Sequence, residues 1–171
     1  MKSPCVETAS INVLYFHIGE TRFCINLSQT SRVLPLVALQ PIPDAPDYVA
    51  GVMNLHGRSV PVVDLVYRLN LPYTRPYKVS ACIILCQIEE KMIGLIADDV
   101  DQIGVVEPEM IQLHSLFNGD KPPLLGLVES TQGMSAWLAL EPVLDFDFSQ
   151  SDGHIASDYH EILNSFPDKI P

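Results

Sequence analysis

The chain has 171 residues, 47% of them hydrophobic, with a mean hydropathy of +0.19, which is ample for one domain or for two small subdomains sharing a core. Ten basic against 21 acidic side chains give a formal charge of −11 and a pI near 4.6, a balance that repels phosphate backbones and anionic membrane surfaces and so excludes nucleic acid as the expected partner. The start MKSPCVETAS is broken by Pro4 and Glu7 before an apolar run forms, and no later stretch is long enough to span a bilayer, which predicts a cytosolic protein without direct membrane insertion.

Short alternating runs separated by turns dominate, so the expected class is mainly β. In the first hairpin Leu14, Phe16 and Ile18 share one face, Gly19-Glu20 supplies the turn, and Phe23, Ile25 and Leu27 line the inner face of the returning strand, leaving His17, Arg22 and Asn26 outside. Next comes DAPDYVAGVMNLHGRSVPVVDLVYRL, Asp44 to Leu69. Asp44 is placed to cap a short helical turn over Ala45–Ala50, with Pro46 near its start and Gly51 ending it. His56-Gly57 gives a hairpin turn tolerant of positive φ, Val60, Val62 and Val63 rebuild a strand, and Asp64 caps a helix carrying Leu65, Val66 and Leu69 that Asn70 and Pro72 stop.

A shift of 70 residues lays the first hairpin over Ile84, Cys86 and Ile88, a turn at Glu89-Glu90, and Ile93, Leu95 and Ala97; Thr30 and Val33 then fall on Val100 and Ile103. The second hairpin has its own shadow, with Gly51 on Gly126, Gly57 on Gly133 and Asp64 on Glu141, allowing slips of one or two residues. Two pattern matches in the same order predict a duplicated architecture of two small, similar barrels, which limit exposed sheet edges. Ser115–Pro123 reads as an exposed loop. After Phe146 a polar linker leads to Tyr159, Ile162, Leu163 and Phe166, an apolar stripe on a short helix stopped by Pro167; it docks either on its own domain or on a partner.

The Asp44–Leu69 segment resembles the signature of the CheW-like family of bacterial chemotaxis coupling proteins. The matching residues are Pro46, Tyr48, Gly51, Val52, Asn54, Leu55, Gly57, Pro61, Val62, Val63, Asp64 and Leu65, with His56 where the family has arginine. A weaker resemblance runs from about Asn12 to about Phe146. It implies two small SH3-like five-stranded antiparallel β-barrels side by side with short helices, occupying residues 10–148, with 149–171 as linker and C-terminal amphipathic helix. It also implies a non-enzymatic adaptor between a chemoreceptor cytoplasmic tip and the regulatory domain of a CheA-like histidine kinase. The partner-binding residues carried over are Thr30, Arg32, Val33, Gly51, His56, Val100 and Ile103, and Gly51 and Gly57 serve the backbone whatever else they touch. Thr30, Val33, Val100 and Ile103 would line a groove between the barrels; the competing reading buries them between subdomains. The family commonly has glutamate near Arg32, able to pair with the arginine at position 56, so this chain replaces a carboxylate–guanidinium bridge with arginine and histidine.

Chemistry is sparse. The nine glycines form no phosphate loop, and Ser135 does not sit in Gly-x-Ser-x-Gly. Asp98, Asp99 and Asp101 suggest a magnesium site or an acid pair less than they suggest solvated carboxylates bonding turn amides. His17, His114, His154 and His160 occur singly, without ligand spacing. Of the four cysteines, Cys24, Cys82 and Cys86 lie in apolar runs, and Cys82 and Cys86 on one strand would be about 13 Å apart, beyond disulfide reach, so buried free thiols are expected. No cofactor or metal is implied. Two rivals remain: a diverged adaptor for a parallel motility or pilus pathway, and a small-molecule module or enzyme using the cleft between barrels.

Overall fold

The first hairpin forms as its alternation predicts, with β1 (Ile11–Ile18) and β2 (Thr21–Asn26) joined at Gly19-Glu20, where Gly19 takes φ 58°. The computed structural model describes residues 9–72, 76–112 and 124–144. The Ser115–Pro123 loop and the C-terminal stripe fall outside them. After β2 come β3 (Thr30–Pro35), β4 (Val49–Leu55), β5 (Arg58–Asp64) and a one-turn helix α1 (Leu65–Arg68). The second half supplies β6 (Cys82–Ile88), β7 (Lys91–Ala97), β8 (Asp99–Val106), β9 (Ile111–Gln112), β10 (Leu124–Ser130), β11 (Gly133–Leu138) and α2 (Leu140–Leu144).

These strands form a six-stranded sheet, β8-β1-β2-β11-β10-β9, and a five-stranded sheet, β3-β6-β7-β5-β4. Two barrel-like units are present, but neither ladder closes. The segment after β3 bonds β4 through Gln40 and Val52, whose amides and carbonyls bond reciprocally at 2.9 and 2.8 Å; after β8, the two-residue β9 plays the same part against β10. Nor is the pairing wholly antiparallel, since β11 runs parallel to β2 and β5 parallel to β7.

The two units do not correspond to the two halves of the sequence. β3 leaves β2 to pair with β6, β8 leaves β7 to pair with β1, and β5 and β11 pair with β7 and β2, so each unit joins the first hairpin of one half to the later strands of the other. The 70-residue shift holds residue for residue: the pairs Thr30–Cys86 and Val33–Ile84 recur as Val100–Phe16 and Ile103–Leu14, with a bulge at the same place in both strands. In the second hairpins the pair Val62–Gly94 recurs as Trp137–Cys24 and Gly51–Val62 as Gly126–Trp137, a shift of 75 from Gly51 to Gly126. This shift resolves the slips of one and two residues in two sequence matches. His56-Gly57 corresponds to Thr131-Gln132, so Gly57 and Gly133 are not equivalents, and the helix start at Asp64 corresponds to Ala139 rather than Glu141, which lies inside α2.

Each shared hairpin is buried on both faces. Leu14, Phe16, Ile18, Phe23 and Ile25 pack with Ile84, Cys86, Ile93 and Leu95 in a central core between the sheets. The opposite faces fill separate interiors, Val13, Tyr15 and Cys24 with Val128 and Trp137 in one unit, and Ile83, Leu85 and Ile96 with Met53, Val60 and Val62 in the other. Arg22, expected outside, is consequently buried.

The Asp44–Leu69 segment departs from expectation once. Residues 45–50 form no helix: turns lie at 43–44 and 47–48, and pairing with Val63 already draws Val49 into β4, while Asp44 itself sits at φ 57°. Beyond it the turn is as expected: His56 and Gly57 take φ 50° and 83°, and the Asn54 Oδ1 accepts from the Gly57 amide at 2.8 Å. Asp64 caps α1 by accepting from the Val66 amide at 2.9 Å and takes the Tyr77 hydroxyl at 2.7 Å on its other oxygen. A Cβ at Gly51 (φ 149°) would sit 2.6 Å from the Gln40 carbonyl oxygen. Gly51→Ala and Gly57→Val are therefore each expected to lower the unfolding free energy by about 1–3 kcal/mol, and His56→Ala by about 0.5 kcal/mol. Denaturant melts check the ranking; a Gly57→Val curve that overlays the wild type would rule out this turn.

Candidate functional site

The residues carried over as partner contacts sit on edge strands. Thr30 and Val33 lie on β3, at one edge of the five-stranded sheet, and Val100 and Ile103 lie on β8, at one edge of the six-stranded sheet. Their pairing partners Cys86, Ile84, Phe16 and Leu14 all belong to the central core, so all four side chains are on the sheet faces turned toward the other unit. Thr30 and Val100 are half-buried there, the Thr30 hydroxyl donating to the Asn26 carbonyl at 3.2 Å. Val33 and Ile103 are 42% and 60% exposed, which decides against burial between subdomains. Val105, 48% exposed, continues the β8 strip, and β3 carries exposed Pro35 at the equivalent position.

Arg32 and His56 stand apart from this strip. Arg32 pairs with Leu85, whose side chain faces the interior of its own unit, so Arg32 is on the opposite face from Val33 and exposed at the mouth of that unit. His56 is exposed at the β4–β5 turn. The parallel pairing of β5 with β7 and the antiparallel pairings of β6 bring the start of β3 and this turn to the same end of the sheet. Neither side chain bonds the other among the described residues. Gly51 is buried beneath Leu39 and Gln40, so its role is in the backbone of β4.

Sequence reasoning missed a polar cluster at the matching mouth of the six-stranded unit. The Arg22 guanidinium stacks 4.0 Å from the Tyr15 ring centre and donates to Asp101 Oδ2 from Nε at 3.2 Å and Nη2 at 3.0 Å. Nη2 also donates to Gln132 Oε1 at 2.8 Å, and Nη1 reaches the Ser130 and Ser135 hydroxyls at 3.3 and 3.4 Å. An arginine in an alternating strand signals solvent unless the second face is known to be covered. Asp98 Oδ2 accepts from the Gly19 amide at 2.6 Å, a turn amide as expected, though of a different hairpin. Among the described residues no group of three or more His, Cys, Asp or Glu side chains is placed to hold a metal, and no helix is long and apolar enough to cross a membrane.

Residues 12–147 match the CheW-like domain. The chain belongs to the CheW-like domain family. The chemotaxis protein CheW of Rhizobium meliloti is 34% identical over 100 residues, 58% of this chain and 64% of that protein, so the match spans somewhat less than two thirds of the relative's length. The Thermotoga maritima chemotaxis protein CheW is 23% identical over 145 residues, 85% of this chain and 95% of that one. The crystal structure of the scaffolding protein TtCheW from Thermoanaerobacter tengcongensis superposes with a TM-score of 0.70 at 22% identity, covering 76% of this chain and 89% of that chain. It shows the same fold.

The described thiols of this CheW-like domain are free and buried, and burial pushes Cys24 and Cys86 up to about 12. Cys82 is raised as well, by burial first and then by the charges of Asp99 and Asp98. None is an activated nucleophile. A thiol whose folded pKa lies above its unfolded value of 9.0 keeps its proton in the fold while the unfolded chain ionises, so its contribution is full below about pH 9 and falls away as pH rises toward about 12. Stability should decline across that window, and less steeply in Cys24→Ala and Cys86→Ala than in the wild type. Chemical denaturation at pH 8, 9 and 10 measures the slopes; parallel slopes would show that these thiols do not stay protonated.

Proposed function

We propose that this chain is a non-enzymatic, cytoplasmic adaptor that couples the cytoplasmic tip of a chemoreceptor to the regulatory domain of a CheA-like histidine kinase. The observation that carries the reading is the pair of equivalent apolar strips, Thr30–Val33 and Val100–Ile103, each left partly exposed on an edge strand at the seam of a CheW-like fold. A shallow apolar seam between two rigid sheets suits the face of an amphipathic helix, and side-chain contact without covalent chemistry suits a scaffold. The names of the relatives, a chemotaxis protein and a scaffolding protein, agree with this.

Arg32 and His56 favour one variation, a diverged adaptor for a parallel motility or pilus pathway. Where the family offers an acid–base pair, this chain offers an exposed arginine and an exposed histidine, which suits a partner carrying carboxylates at that place.

Val33→Asp and Ile103→Asp should each weaken binding to a receptor-tip helical bundle by about tenfold or more, because docking would bury an unpaired carboxylate, while melting curves stay close to wild type at such exposed positions. Titration calorimetry with the bundle measures this. Wild-type affinity in both folded variants would remove the seam from the binding surface, and wild-type protein that binds neither bundle nor kinase domain would favour the parallel pathway.

A further inference from the structure

The duplication allows the Arg22 cluster to be compared with its own counterpart in the same chain. By the shifts of 70 and 75 residues, Arg22, Tyr15 and Asp101 correspond to Met92, Leu85 and Ser31, and Ser135, Gln132 and Ser130 to Val60, Gly57 and Leu55. Met92, Leu85, Val60 and Leu55 belong to one apolar cluster. The same site in the same fold is thus filled by hydrocarbon in one unit and by a buried guanidinium with its partners in the other. Stability does not require the polar version, since apolar replacement of a buried charged network is commonly neutral or stabilising. What the polar version adds is geometry. Arg22 on β2 reaches over β1 to the bulge of β8 in one direction and to β11 and the β10–β11 turn in the other, spanning five of the six strands. The bulge it grips, Asp101-Gln102, separates Val100 from Ile103, and Gln102 joins the cluster through Gln132 at 3.2 Å.

We propose that Arg22 is a positioning residue that fixes the β8 wall of the partner-binding seam, holding Val100 and Ile103 in register against the β10–β11 turn, whereas among the described residues the β3 wall has an apolar cluster in place of such a brace. The proposal rests on the seam being the partner surface for its functional half only; the brace itself stands on geometry.

The test is Arg22→Met, the residue of the duplicate, in the full chain, with Asp101→Asn as a second variant that keeps side-chain shape. Amide hydrogen exchange should accelerate by about tenfold over residues 99–103 and 130–133, with exchange in β6 and β7 unchanged, and affinity for the receptor-tip bundle should fall several-fold. The double variant Arg22→Met with Asp101→Asn should exchange no faster than Arg22→Met alone. Folded variants with wild-type exchange over 99–103, or with exchange raised equally in both units, would overturn the brace. Faster local exchange with unchanged bundle affinity would overturn its role in binding. If wild type binds no bundle, the seam reading fails while the exchange arm still judges the brace.

Discussion

Burial of both faces of two hairpins is the constraint on which the rest of the structure depends. A strand pair apolar on one side can rest on a single core, but β1–β2 and β6–β7 carry apolar side chains on both, one set meeting across the centre and the other set turned into a separate interior. Neither hairpin is covered by its own half of the chain. Each interior is completed by strands from the other half, β8 and β11 flanking the first hairpin and β3 and β5 flanking the second. The exchange makes each unit incomplete without the other, and the two sheets share one central core as a result.

Given that arrangement, the signature segment is a set of backbone requirements. Gly51 admits the Gln40 carbonyl, Asn54 and Gly57 make the turn, and Asp64 caps α1 while holding Tyr77. Each acts on the chain's own backbone or core, which explains why these residues identify the fold so well and say little about partners. The surface that varies in meaning lies elsewhere, on the edge strands and at the unit mouths, where a substitution costs little stability.

The fold was largely legible because period-2 patterning and turn chemistry are local. Gly19-Glu20, Glu89-Glu90 and His56-Gly57 marked their hairpins, and the repeat placed Thr30 and Val33 opposite Val100 and Ile103 before any pairing was known. The failures were of three kinds, each non-local. Strand exchange leaves no local trace, so two sequence halves suggested two units. The Ala45–Ala50 turn lost to pairing with Val63, a contact that capping rules do not see. Arg22 was misplaced because alternation gives a side chain's face and not what covers that face, and the covering residues Asp101, Gln132 and Ser135 lie 79, 110 and 113 positions away.

Duplication supplies two equivalent walls, yet they are not equal in charge. The inequality here is electrostatic and sits where the core is not at risk. Among the described strand residues the exposed basic side chains Arg32, Arg58 and Lys91 all belong to the five-stranded sheet, and its one acid, Asp64, is buried as a cap. On the six-stranded sheet the charged strand residues are Asp99, Asp101, Glu129 and Arg22, and Arg22 is buried against Asp101. Within a chain of net charge −11 the exposed strand charges therefore differ in sign between the two sheets, with the exposed acids Glu89 and Glu90 flanking Lys91 at the β6–β7 turn. Such a field contributes orientation and encounter rate more than affinity, and it separates two directions of approach that the symmetric backbone alone leaves equivalent.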